Sequence, residues 1–174
     1  MNSKLMLIVA AVTGVATAAV AASTGGPTDP QIAHIAYTAG NIDIAAAKQA
    51  LAKSHNAQVR SFAEVMLRDH EAVNDKALAL VKKLGVTPQD NPTSEALEKQ
   101  AAETSKRLAS LDGAAFDHAY IANEAAYHKA VNAALADTLV PSAHNGELKS
   151  LLETGLTLFK EHQAHAEALA ATVK

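Results

Sequence analysis

Apolar positions recur along this chain at intervals of three and four residues, with polar residues between them. No stretch alternates one for one over the length of a strand, so the pattern predicts helices throughout. The first should run from Pro30 to about Lys53, with Ile32, Ile35, Ala39, Ile42, Ala46 and Ala50 on one stripe and Asp29-Pro30 as its N-cap and first-turn proline. Ser54-His55-Asn56 is a turn. A second helix follows from Ala57 to Leu84, stopped by Gly85, with Val59, Phe62, Met66, Val73, Ala77, Leu80 and Leu84 on its buried face. The turn-rich run Val86–Pro92 leads into a shorter, more polar helix, about Thr93 to Leu111, whose weak apolar side is Leu97, Ala101, Leu108 and Leu111. Asp112-Gly113 breaks the chain, and Asp112 is placed to cap a helix through Phe116–Leu139 that Pro141 ends. Asn145-Gly146 turns the chain into a last helix, Glu147 to about Val173, burying Leu148, Leu151, Leu152, Phe159, Ala166 and Leu169. Four long amphipathic helices and one short one predict an all-α, ferritin-like four-helix bundle with an additional short helix in the central connection.

The stripes are not purely apolar. Between Phe116 and Leu139 the stripe Phe116, Tyr120, Tyr127, Val131 and Leu135 contains Glu124 and His128, one turn apart on the same face. A carboxylate and an imidazole aimed into a core must be paired, protonated or bound to something. The other long helices repeat the exception. On an ideal wheel Asp43 lies within about 40° of the first stripe's centre, and His70 and Asp69 flank the second at roughly 50° each. His162 stands near the middle of the last stripe, with His165 about 60° further round, at its edge. Asp43, His70, Glu124, His128 and His162 all fall about 12 to 16 residues into their helices. At about 1.5 Å per residue they can share one layer at mid-height.

Each long helix thus supplies at least one such group, the way metal sites are assembled in bundle cores. Imidazole with carboxylate suits iron, manganese or zinc better than calcium. A dinuclear centre would use four carboxylates and a Glu-x-x-His motif on each of two helices. Here the spacing is Glu124-x-x-x-His128, with two carboxylates and three histidines, so a single ion is the better fit. Two other readings stand beside it. One is a metal-free envelope or stress-related bundle in which these groups satisfy one another through hydrogen bonds. The other is a metal-dependent oxidase or peroxidase, which needs an open coordination position. Tyr120, one turn before Glu124, reads as core packing with a satisfied hydroxyl, and Glu64 as a solvated residue. His34, His55, His118 and His144 sit near helix ends, turns or polar faces, where capping or solvated roles are expected.

Composition narrows the field further. Aromatic residues are 3% of the 174 and tryptophan is absent, so the core must be built from Ala, Leu, Val and Ile in closely packed helices. A net charge of −3 with no basic run argues against nucleic-acid binding. The N-terminus reads as a secretory signal over residues 1–22: Lys4, an apolar run from Leu5 to Val15, then small residues with Ala19-Val20-Ala21 before the expected cleavage. An uncleaved anchor is the competing reading; after cleavage no stable membrane span is expected. A linker over 23–29 and a bundle domain over 30–174 follow. The expected location is periplasmic or otherwise exported. Without cysteine, stability there rests on packing, helped by any bound metal. A homo-oligomer is compatible with the sequence, which names no protein partner.

Three segments also resemble a known family. They are Phe62-Ala63-Glu64-Val65-Met66-Leu67-Arg68-Asp69-His70, then Phe116-Asp117-His118-Ala119-Tyr120 leading to His128, and Phe159-Lys160-Glu161-His162-Gln163-Ala164-His165-Ala166. In these the chain is similar to the bacterial domain-of-unknown-function family 4142, across about Asp29 to Val173. The resemblance implies a ferritin-like bundle in exported proteins and brings no established activity. Where the family pattern carries a glutamate in the first helix, this chain has the shorter Asp43.

Overall fold

Three helices start at an asparagine whose side chain accepts from N–H groups of the first turn, whereas Asp112, expected to cap the helix after it, makes no such bond. The structure, a computed structural model, describes residues 26–173, so the expected signal segment lies outside the described residues. Helix α1 spans Asp29–Lys53 and α2 spans Ala57–Leu84, where the Asn56 carboxamide accepts from the Gln58 and Val59 N–H groups. Helix α3 is Pro92–Ala109, capped in the same way by Asn91, and α4 is Gly113–Ala134 after Asp112. A π-helical turn, Leu135–Leu139, and a short α5, Val140–Ser142, prolong α4. The last helix, α6, is Gly146–Ala170, capped by Asn145. Among the described residues there is no strand.

Three expectations about ends need correction. Asp29 is not the cap of α1: Thr28 precedes the helix, and Gln31 accepts from its backbone N–H at 3.0 Å. The Asp29 carboxylate instead accepts from the His144 and Asn145 N–H groups at 2.8 and 2.9 Å, tying the start of α1 to the turn before α6. Pro141 does not stop the helix it follows. The widened turn pairs the Val140 N–H with the Leu135 carbonyl, and Pro141 then falls in the first turn of α5, where a missing N–H leaves no bond unmade. Helix α3 ends at Ala109, before Leu111.

Cross-helix pairs give the direction of each long helix. Asn41 meets Asn74, Asp43 meets His70 and the Leu51 carbonyl accepts from Arg60, so α2 runs antiparallel to α1. His162 meets Asp69 and Glu147 meets Lys83, so α6 runs antiparallel to α2. Phe116, Tyr120 and Ile121 cluster with Ala166 and Leu169, while Leu135 and Leu139 cluster with Leu148 and Leu152, so α4 and α6 are antiparallel too. Helices α2 and α4 therefore point the same way, and the connection between them, carrying α3, must return along the molecule. Gln49 and Lys53 of α1 hold α3 through the Ser105 and Ala109 carbonyls.

The core is two apolar clusters. One, around Val59, Phe62, Met66, Phe116, Tyr120 and Ile121, fills the end beside the α1–α2 turn. The other, around Ile32, Ile35, Leu135, Leu139, Leu148 and Leu152, fills the opposite end. Asp43, His70, Glu124, His128 and His162 come between them in their own helices, and all five are buried. The stripe of α2 is buried only as far as Asn74: Val73, Ala77, Leu80 and Leu84 are half-exposed, as are Tyr127 and Val131 of α4.

Candidate metal centre

Four helices bring five ionisable side chains into the layer between the apolar clusters. None of Asp43, His70, Glu124, His128 and His162 is more than 3% exposed. They form two groups that share His128. His70, His128 and His162 can each offer an atom within 4.8 Å of the others, as can Asp43, Glu124 and His128. The mid-height layer expected from residue spacing is therefore where these side chains lie. His165 is exposed, with its ring edge against Phe62, and stays outside it.

Hydrogen bonds decide which ring nitrogen is free. His128 Nδ1 lies 3.0 Å from the Glu124 carbonyl oxygen, which can only accept, so Nδ1 carries the proton and Nε2 keeps its lone pair. That Nε2 faces His70 Nε2 at 3.4 Å, and His70 Nε2 is 3.5 Å from Asp43 Oδ2. These are long for hydrogen bonds. The His70–His128 separation matches one edge of a tetrahedral coordination shell, in which bonds of about 2.0–2.1 Å place neighbouring ligand atoms about 3.3–3.4 Å apart.

The other two imidazoles are held differently. His162 Nε2 donates to Asp69 Oδ2 at 3.1 Å, and Arg68 Nε fixes the other oxygen of Asp69 at 2.8 Å. That leaves His162 Nδ1 buried with no partner. A carboxylate on the far nitrogen is the usual support of a ligating histidine. His70 has no such support on Nδ1, and is positioned by the Phe159 ring stacked on it at 4.7 Å and 14°. Asp43 Oδ1 and both carboxylate oxygens of Glu124 also lack partners.

Burial shapes the charge of the layer. Burial first, then repulsion from His128 and His162, pulls His70 down to about 3. Burial and then His162 pull His128 down to about 4, against the Glu124 carbonyl. His162 is also lowered by burial, with Asp69 opposing. Burial raises Asp69, but hydrogen bonds from Arg68 and His162 outweigh it and hold the carboxyl below its usual value. The three imidazoles are thus neutral at neutral pH, the form that binds a metal. The carboxyls move the other way. Burial, then the charge of Glu124, holds Asp43 well above the usual range, and burial lifts Glu124 to about 7, opposed by the adjacent Asp43 and Asn123. A buried carboxyl pair with a retained proton is a place where a cation can replace that proton.

Sequence patterns alone missed three parts of the site. Asp69 stood beside the α2 stripe as a neighbour of His70, but its partner is on α6. Phe159 read as plain core, yet it stacks on His70 and meets His128 edge-on. Tyr120 packs between Phe62 and Phe116 as expected, but its buried hydroxyl has no partner, contrary to expectation. Burial, then the charges of Glu124 and Asp43, raises it. His34 pairs with Asp90 at 2.9 Å, while His55, His118 and His144 are exposed.

Fold and site together define an all-helical protein with buried histidine and carboxylate groups spaced to hold a metal ion. The chain belongs to the family described as domain of unknown function (DUF4142), which matches residues 14–169. No curated protein and no solved structure matched the chain in comparison.

Proposed function

We propose that this is an exported, ferritin-like bundle that binds one transition-metal ion in its core, of the iron, manganese or zinc class. The carrying observation is the convergence of His70, His128 and His162, each able to offer a ring nitrogen within 4.8 Å of the other two, with His70 Nε2 and His128 Nε2 3.4 Å apart, in a fully buried layer. Five groups that met only for mutual hydrogen bonding would not leave His70 Nδ1 and His162 Nδ1 unpaired, since buried polar groups are nearly always bonded. The metal-free reading is weaker for that reason. In this proposal His70, His128 and His162 supply nitrogen, and Asp43 and Glu124 supply oxygen. Asp69 fixes the His162 ring, and the backbone carbonyl of Glu124 fixes that of His128.

Helix direction supports the ferritin-like assignment. The second and third long helices run parallel and are joined by one long crossover, as in ferritin-like bundles. Residues 1–22 support export by their signal-like pattern. Among the described residues no helix is long and apolar enough to cross a membrane.

The test is elemental analysis of protein purified from its native compartment, compared with His70→Ala and His128→Ala variants. One equivalent of metal, lost in both variants, is the expected result. Absence of bound metal, together with an unchanged melting temperature on adding iron, manganese or zinc, overturns the proposal.

A further inference from the structure

The half of the molecule away from the α1–α2 turn is only partly filled by its apolar cluster. A cavity of about 400 Å³ lies there between α1, α2, α4 and α6, with α3 across one side. This size falls in the range of small-molecule pockets, about 300–1,000 Å³. The space follows from the composition of the helix faces. The lining has small residues, Ala36 and Ala39 on α1 and Gly155 on α6, with the exposed Ala130 and Ala134 of α4 where it opens to solvent. It also explains the half-exposed apolar residues: Val73, Leu80, Leu97, Val131 and Leu151 all line it. Outside it, the large hydrophobic side chain exposed to solvent is Leu78.

We infer that this cavity is a binding site for one uncharged, elongated, mainly hydrocarbon molecule, of the long-chain alcohol or prenyl class. No charged residue lines it. Its polar side chains are all neutral: two are committed elsewhere, two on α3 are exposed, and Thr104 and Asn123 are half-exposed. Asn74 donates to Asn41 and to the Tyr37 carbonyl, and the Tyr127 hydroxyl donates to the Ala39 carbonyl at 3.2 Å. Thr93 and Gln100 of α3 are exposed. An ionised head group would meet nothing inside to offset its lost hydration, so a charged amphiphile is excluded from the interior. A neutral chain loses nothing there, and it covers apolar surface that water would otherwise touch.

Phe159, whose ring stacks on His70, is one of the lining residues. An occupant would therefore press on the residue that positions that imidazole. The inference itself stands on cavity shape and chemistry, and holds whether or not a metal binds.

The experiment titrates the purified protein with the neutral fluorophore N-phenyl-1-naphthylamine and then competes it with dodecanol or with dodecanoate. Saturable binding at one per chain is expected, with dodecanol displacing the probe far better than dodecanoate. Filling the space from opposite walls, by Ala36→Phe and separately by Ala130→Phe, should weaken probe binding about tenfold or more. Leu78→Ser, outside the cavity, should leave binding unchanged. Circular dichroism melts identify which filling variants are folded, and probe binding is judged on those. Probe binding insensitive to a folded filling variant, binding lost in Leu78→Ser, or preferential displacement by dodecanoate would overturn the inference. So would the absence of saturable binding together with a dimer in sedimentation equilibrium, since a second copy would then cover this face.

Discussion

At the scale of single residues, the division of labour among the buried groups makes distinct predictions. Asp69 is partly exposed and lies outside the five candidate ligands, yet its contact with His162 Nε2 sets that ring's tautomer. Asp69→Ala should therefore keep the metal site but weaken it about 10–100-fold, the usual effect of losing such a support. Competition with a zinc-chelating dye measures this, and an unchanged affinity would place His162 outside the coordination shell. Glu124 behaves oppositely in the metal-free protein. Its buried carboxyl has a value of about 7, against 4.5 as the ordinary reference, so the stability tied to its proton is lost as pH rises between those values. Glu124→Gln removes that loss. The metal-free variant should be more stable than the parent at pH 8, by roughly 1–3 kcal/mol in urea unfolding, while binding metal less well.

Two glycines separate packing from empty space at the scale of helices. A Cβ on Gly40 would overlap the Asn74 side chain, which sits against α1 and bonds Asn41 at 2.9 Å. Gly40→Ala should push α1 and α2 apart and destabilise the fold by about 1–3 kcal/mol in denaturant unfolding. A Cβ on Gly155 would meet the Phe159 ring at 3.5 Å, an ordinary contact, so Gly155→Ala should be tolerated or mildly stabilising. The same unfolding measurement checks both. Helix limits were mostly legible beforehand: Ala57–Leu84 with Gly85 in the left-handed conformation, φ 63°, is as the sequence reads. Pro141 was not, because a proline's effect depends on the hydrogen-bonding register before it, and a π-helical turn shifts that register by one residue. Nor was the role of Asp29, whose hydrogen-bond donors lie more than a hundred positions away.

For the whole molecule, the opposed shifts in the layer set the pH dependence of the metal-free state. The unfolded chain binds histidine protons near 6.5, whereas folded His70 waits until about 3 and His128 until about 4. Stability therefore falls as pH drops below about 6.5. Glu124 and Asp43 hold protons in the fold that the unfolded chain has released, so their contribution falls as pH rises toward 7 and beyond. Between these arms three imidazoles outweigh two carboxyls, and chelator-treated protein should melt highest near pH 6.5 in a scan from about pH 5 to 8. Bound metal replaces the shared proton, so the alkaline decline should vanish in loaded protein. A melting temperature that rises steadily across the scan without chelator-dependent differences would contradict this account.

By itself the sequence determined the all-helical class, the order and approximate limits of the helices, and the polar exceptions Asp43, His70, Glu124, His128 and His162 on buried stripes. Those follow from local periodicity and capping, which act within a few residues of chain. Tertiary structure alone decided that Asp69 serves His162 and not His70, that the Tyr120 hydroxyl has no partner, and that Val73, Leu80 and Val131 line a cavity instead of a sealed core. A wheel gives the direction in which a side chain leaves its helix. What it meets, or whether it meets anything, depends on the size and register of residues on other helices, and Ala and Gly on those faces leave space that no single stripe reveals.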